Sequence, residues 1–104
     1  MKFDGDLRNH LTLTEVNEQC RHLRPGDIVI LPAKIINRDE ACPALVTRIY
    51  PHVIEFLLPF GYKRHVQKFD CMDMPIYSEG ELHNQKLDQT LITALLNLEE
   101  IVNE

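Results

Sequence analysis

Apolar positions along this chain change their spacing twice, and the changes divide it into a helical start, a β-rich middle and a helical end. Leu13, Val16, Cys20 and Leu23 recur every three or four residues, the spacing of one helix face. The pattern predicts a short helix over 12–24. Thr12 and Glu15 have the spacing of a capping box, in which hydroxyl and carboxylate each satisfy a free backbone donor, and Leu11 and Val16 that of a hydrophobic staple. The helix must stop near Arg24, because Pro25 disfavours helical geometry in the residue before it. Pro25-Gly26 suits the centre of a type II turn, with glycine at the positive φ. Residues 1–10 are mostly polar and stand outside the pattern.

From residue 28 the period shortens. Residues 28–31 form an apolar β-type run, which Pro32 interrupts and which resumes over 33–36; a proline there marks an edge strand or a bulge. After a polar loop (37–43), residues 44–50 read as a second strand, 53–58 as a third and 62–69 as a fourth. Pro51-His52 separates the second from the third, and residues 59–61 make a short hairpin loop whose glycine is available for a left-handed position. Residues 74–77 fit a short fifth strand, entered through a helical turn near Asp70. Short strands between proline and glycine turns predict a small antiparallel barrel over 24–77, of SH3-like size.

The last segment returns to helical spacing. Leu87, Leu91, Leu95, Leu98 and Val102 predict a longer helix over about 84–103, and Ala94 and Ile101 widen its apolar face. Ile92 and Leu96 add further apolar surface. Either all of it packs within the chain, or Leu91, Ile92, Leu95 and Leu96 meet a partner helix, in a homodimer for example. The expected fold class is thus α+β: one domain over 1–104, an SH3-like barrel with a helix on either side.

Charge narrows the function. The formal net charge is −5, and the excess acid belongs to the C-terminal stretch, where Lys86 faces Glu79, Glu81, Asp88, Glu99, Glu100 and Glu104. A nucleic-acid-binding domain normally carries a strong positive field, so a protein partner is favoured over nucleic acid. No apolar run approaches the roughly 18 residues of a membrane span, and the first residues lack the apolar core of a secretion signal. Cys20, Cys42 and Cys71 are odd in number and widely spaced, which reads as free thiols in a reducing cytoplasm.

Little in the chain has the spacing of catalysis. His10, His22, His52, His65 and His83 are scattered, and Cys20 and His22 point to different sides of their helix. Cys71 sits between acids, which weaken a thiol nucleophile. Cys42 has no base near it in sequence. With only four glycines and no phosphate-loop motif, neither a catalytic residue, a metal site nor a cofactor is assigned. The fourth strand carries the most distinctive surface. With Val66 inward, Lys63, His65 and Gln67 form a polar outer face, which Arg48, Tyr50 and Tyr62 adjoin. Cations with aromatic flanks on a small barrel suit a protein partner or, by phosphate contact and stacking, single-stranded nucleic acid.

Two resemblances bear on this reading. Gly26-Asp27 before an apolar strand, followed by Pro43 to Val46, resembles the barrel of growth-inhibitor endoribonuclease toxins. In that family a catalytic arginine precedes the proline; here the position holds Cys42, no later Ser/Thr counterpart stands out, and Arg38 is the available cation. The stretch 46–74, with its Tyr50-Pro51-His52 break and basic fourth strand, resembles small SH3-like proteins of bacterial prophages and mobile elements. That resemblance implies a fold and a setting rather than a reaction. The expectation is a non-catalytic binding or regulatory module, with a divergent endoribonuclease and a single-stranded nucleic-acid binder as competing readings.

Overall fold

The computed structural model describes residues 12–102. Helix α1 (Leu13–Cys20) starts at the capping box: Thr12 Oγ1 accepts from the Glu15 amide at 3.1 Å, and the Glu15 carboxylate accepts from the Thr12 amide at 3.0 Å. Leu11, half of the expected staple, lies outside the described residues. The helix ends four residues before the expected boundary at 24. The Asp27 carboxylate takes the Arg24 amide at 2.8 Å, removing a donor that a longer helix would use. Leu23 closes a tight turn onto Cys20 instead. Gly26 then turns the chain at φ 100°, as a type II turn requires.

Four strands follow, β1 (Ile28–Leu31), β2 (Cys42–Ile49), β3 (Val53–Leu57) and β4 (Lys63–Gln67), joined antiparallel in the order β1-β2-β3-β4. Val46 stands opposite Phe56 and Arg48 opposite Glu55, so Thr47 is an extra residue in a β-bulge. The chain between 33 and 36, expected to resume the first strand, is instead a helical turn, α2 (Ala33–Ile36). Pro32 lacks the amide that a strand would use, and its φ of −60° leads into helix. Its carbonyl accepts from Ile35 and Ile36, and Asn37 closes the turn in the left-handed region at φ 57°.

The expected fifth strand reduces to one bridge, with the Tyr77 amide donating to the Ile28 carbonyl at 2.9 Å. The hydrogen-bonded sheet is therefore open, with β1 and β4 as its edges. The chain leaves β1 because a second capping box, Ser78 with Glu81, starts helix α3 (Glu79–His83) immediately. The single helix expected over 84–103 is likewise divided: α3 ends at His83, and α4 (Gln89–Val102) begins where Asp88 accepts the Thr90 amide at 2.9 Å.

The sheet is buried on both faces. Val29, Leu31, Ala44, Val46, Ile54, Phe56 and Val66 line an inner core with Cys20, Leu23, Ile36 and Cys71. Alternate residues Ile28, Leu45 and Leu57 point outward and meet Leu82 of α3 and Ile92 and Leu95 of α4. Lys68 pins α1 beneath the sheet: its amine donates to Asn17 and its carbonyl accepts the Cys20 thiol at 3.2 Å. Because Ile92 and Leu95 are wholly buried in this second core, Ile92→Ala is expected to lower the unfolding free energy by about 2–5 kcal/mol. Urea denaturation measures it; an unchanged midpoint would mean that α4 does not dock.

Candidate functional site

Helix α4 covers one part of the sheet's outer face and leaves the rest open. Along β3 the outward residues are Val53, Glu55 and Leu57. Leu57 is under α4, whereas Glu55 stands beyond it, opposite Arg48 on β2 and His65 on β4. The cross-strand row Arg48–Glu55–His65 forms the centre of the site. Lys63 and Gln67 flank His65 on the same side of β4, and all three are exposed. Tyr50 sits at the β2 end, its ring 6.1 Å from that of His65.

Glu55 is the anchor, although only 8% of it reaches solvent. A carboxylate so covered requires partners. The Thr47 hydroxyl donates to it at 2.7 Å, and His65 Nε2 lies 3.3 Å from its other oxygen. The Glu55 carbonyl, 3.0 Å from the same hydroxyl oxygen, is the alternative acceptor of its single proton. The bulge makes this arrangement: the extra residue allows Thr47 and Arg48 both to address Glu55. The Thr47 hydrogen bond, opposed by burial and assisted by Lys63, His65 and Arg48, holds the Glu55 carboxyl below the ordinary range.

The six binding residues named from sequence do not share one face. Arg48, Tyr50, Lys63, His65 and Gln67 gather on the outer side. Tyr62 alternates with Lys63 and falls with Arg64 and Val66 on the opposite side, where the Arg38 guanidinium lies 5.9 Å from its ring centre. Of the four partner-helix residues, Ile92 and Leu95 are spent on the chain's own core, and Leu91 and Leu96 are half-buried against it.

Sequence reasoning missed Glu55 and Thr47, whose meeting depends on strand register and a bulge. It also missed Phe60. That ring is 63% exposed at the hairpin tip, beside Tyr62 at 61%, and its backbone is held at φ 69°. A non-glycine residue there costs about 1–2 kcal/mol. Phe60 also walls a shallow groove with Gln89, Thr90, Thr93 and Ala94 of α4. No signal short of the hairpin's conformation reveals an outward ring in a Pro-Phe-Gly loop.

The groups weighed for chemistry take structural places. His22 Nε2 lies 2.6 Å from the Met74 carbonyl and His83 Nδ1 3.0 Å from the Gln89 amide oxygen. Cys20, Cys42 and Cys71 are free and buried. Burial pushes all three thiols up, Cys71 to about 12, and a thiol so held is a poor nucleophile. An open cleft of about 430 Å³ runs beside the loop before β2, lined by Arg38, Asp39, Glu40 and Asp88 among others. Among the described residues no cluster of three His, Cys, Asp or Glu could hold a metal ion, and no helix is long and apolar enough to cross a membrane.

Comparison with protein-family models, curated proteins and solved structures yields no match.

Two measurements check the site. A group whose carboxyl is lowered on folding adds stability at pH above its unfolded value and loses that contribution as pH falls through its folded value. Wild type should therefore lose more stability than Glu55→Gln as pH is taken from neutral to below the ordinary carboxylate range, in urea titrations at each pH. The buried thiols should react with an aromatic disulfide reagent only at the rate of unfolding; rapid labelling of Cys71 in the native protein would contradict its burial.

Proposed function

We propose that this chain is a small non-catalytic binding module whose partner is a protein, met by the outer surface around Arg48, Tyr50, Lys63 and His65. The observation that carries the reading is the uncovered part of the sheet. There a nearly buried carboxylate sits in a cross-strand row between Arg48 and His65, with a half-exposed tyrosine against the histidine. Such a surface, fixed on strands and combining aromatic and guanidinium groups, is the composition favoured at protein interfaces. The small SH3-like folds of prophages and mobile elements remain the architectural kin proposed for it, and a cytoplasmic adaptor or regulator the proposed role.

The charge distribution supports a protein over nucleic acid. Glu55 lies in the middle of the cations, and the chain as a whole is acidic at −5. The endoribonuclease reading rests on Arg38. In the cleft beside it, Asp39, Glu40 and Asp88 would repel an RNA phosphate, and a homodimer through α4 would have to use what its own core leaves exposed.

The test is a photo-crosslinking amino acid at Tyr50, expressed in the native host. The expected result is a discrete protein adduct that disappears when Arg48→Glu and Lys63→Glu are combined. An adduct with RNA, or oligonucleotide affinity that falls steeply with salt as phosphate binding does, would overturn the protein reading.

A further inference from the structure

The mode of binding can be taken further from strand β4, resting on the protein-binding reading above. The ladder between β3 and β4 fixes which backbone groups of β4 are in use. The Leu58 amide donates to the Tyr62 carbonyl, and the Lys68 amide to the His52 carbonyl. Hydrogen-bonded pairs in an antiparallel ladder recur every second residue. Tyr62, Arg64, Val66 and Lys68 therefore turn their backbone groups toward β3, while those of Lys63, His65 and Gln67 point away from the sheet.

On that outward side lies no further strand, since β4 is an edge. Among the described residues the Gln67 carbonyl is met by the Cys71 thiol, at 3.5 Å, and the amides and carbonyls of Lys63 and His65 have no hydrogen-bond partner off the sheet. An edge of this kind is a template for another strand. Its side chains set the sign of the charge that can approach. Lys63 and His65 stand on one side, Arg64 on the other, and every charged side chain on the strand is cationic or can become so. At the hairpin end the exposed Phe60 and Tyr62 rings flank the strand.

We propose that β4 is a docking rail for an extended, acidic segment of a protein partner, which joins the sheet as a further strand. The backbone supplies the hydrogen bonds through the amides and carbonyls of Lys63 and His65 and the amide of Gln67. Lys63 and His65 select carboxylates on one side of the incoming chain, and the hairpin aromatics receive its apolar residues at one end. A second copy of this chain fits poorly in the same place. Two β4 strands paired antiparallel about Arg64 would set Arg64 opposite its copy and Lys63 opposite His65, and like charges across a ladder are destabilising.

The test uses the full-length protein and three blocked peptides. One alternates glutamate and valine, one alternates lysine and valine, and one is the acidic peptide N-methylated at every second amide, so that its ladder-facing donors are gone. Binding is followed by amide chemical shifts and hydrogen exchange. The expected result is that only the unmethylated acidic peptide binds, and that it slows exchange at Lys63 and His65.

A variant isolates the backbone contribution. Gln67 has φ −63°, the angle that proline adopts, and its amide points off the ladder. Gln67→Pro should therefore fold with an unchanged thermal midpoint and bind the acidic peptide at least about tenfold more weakly. Three results would overturn strand addition: no binding of the acidic peptide, equal binding of its methylated form, or amides at Lys63 and His65 already protected in the free protein. None of these touches the crosslink at Tyr50. A partner adduct there with no strand addition would leave the protein-binding reading standing and remove this one alone.

Discussion

The structure depends on one four-stranded sheet being covered on both faces with little apolar material. Each outward Leu or Ile that α4 buries contributes about 1.5–3 kcal/mol relative to exposure, and Ile28, Leu45 and Leu57 receive that cover. The helix does not extend that cover across the whole face. Where the cover ends the outward position changes from Leu57 to Glu55, and hydrogen bonding to Thr47 takes over from apolar contact. The boundary between packing and polar chemistry therefore falls within a single strand, two residues apart.

Much of the architecture was legible because punctuation in this chain is local. Pro25-Gly26, Pro51-His52 and the Pro-Phe-Gly hairpin mark the strand limits to within about two residues, and the Thr12–Glu15 box marks a helix start. The same logic applied to Ser78 and Glu81 would have found α3, and Asp88 the start of α4. What failed was reading two cores as one. The near-continuous apolar runs of β1 and β2 are those of strands buried on both faces, and the expectation of a closed barrel had assigned them to one shared interior. Residues 33–36 looked like strand because Ile35 and Ile36 are β-branched; the fixed angle of Pro32 and the left-handed Asn37 outweighed that propensity.

The site was legible in composition and illegible in register. The alternation along β4 correctly grouped Lys63, His65 and Gln67, since period two requires only that Val66 face inward. It could not bring Glu55 to them, because a cross-strand partner ten residues away along the chain is set by the geometry of the turn between them. It also holds Tyr62 apart, on the side where Arg38 lies against its ring. Tyr62 and the polar row are thus on opposite faces of one strand.

The bulge at Thr47 constrains how this sequence can drift. An extra residue on β2 puts a hydroxyl on the carboxylate and an arginine opposite it from successive positions. A lineage that lost the Thr47 codon would regain an unbroken register with Arg48 still opposite Glu55, but without the hydroxyl that holds the carboxylate, whereas the polar loop between α2 and β2 has no ladder to disturb. Length is thereby pinned at one point of the sheet and free at another, so the inheritance of gaps, more than of side chains, would trace the polar row through diverged descendants.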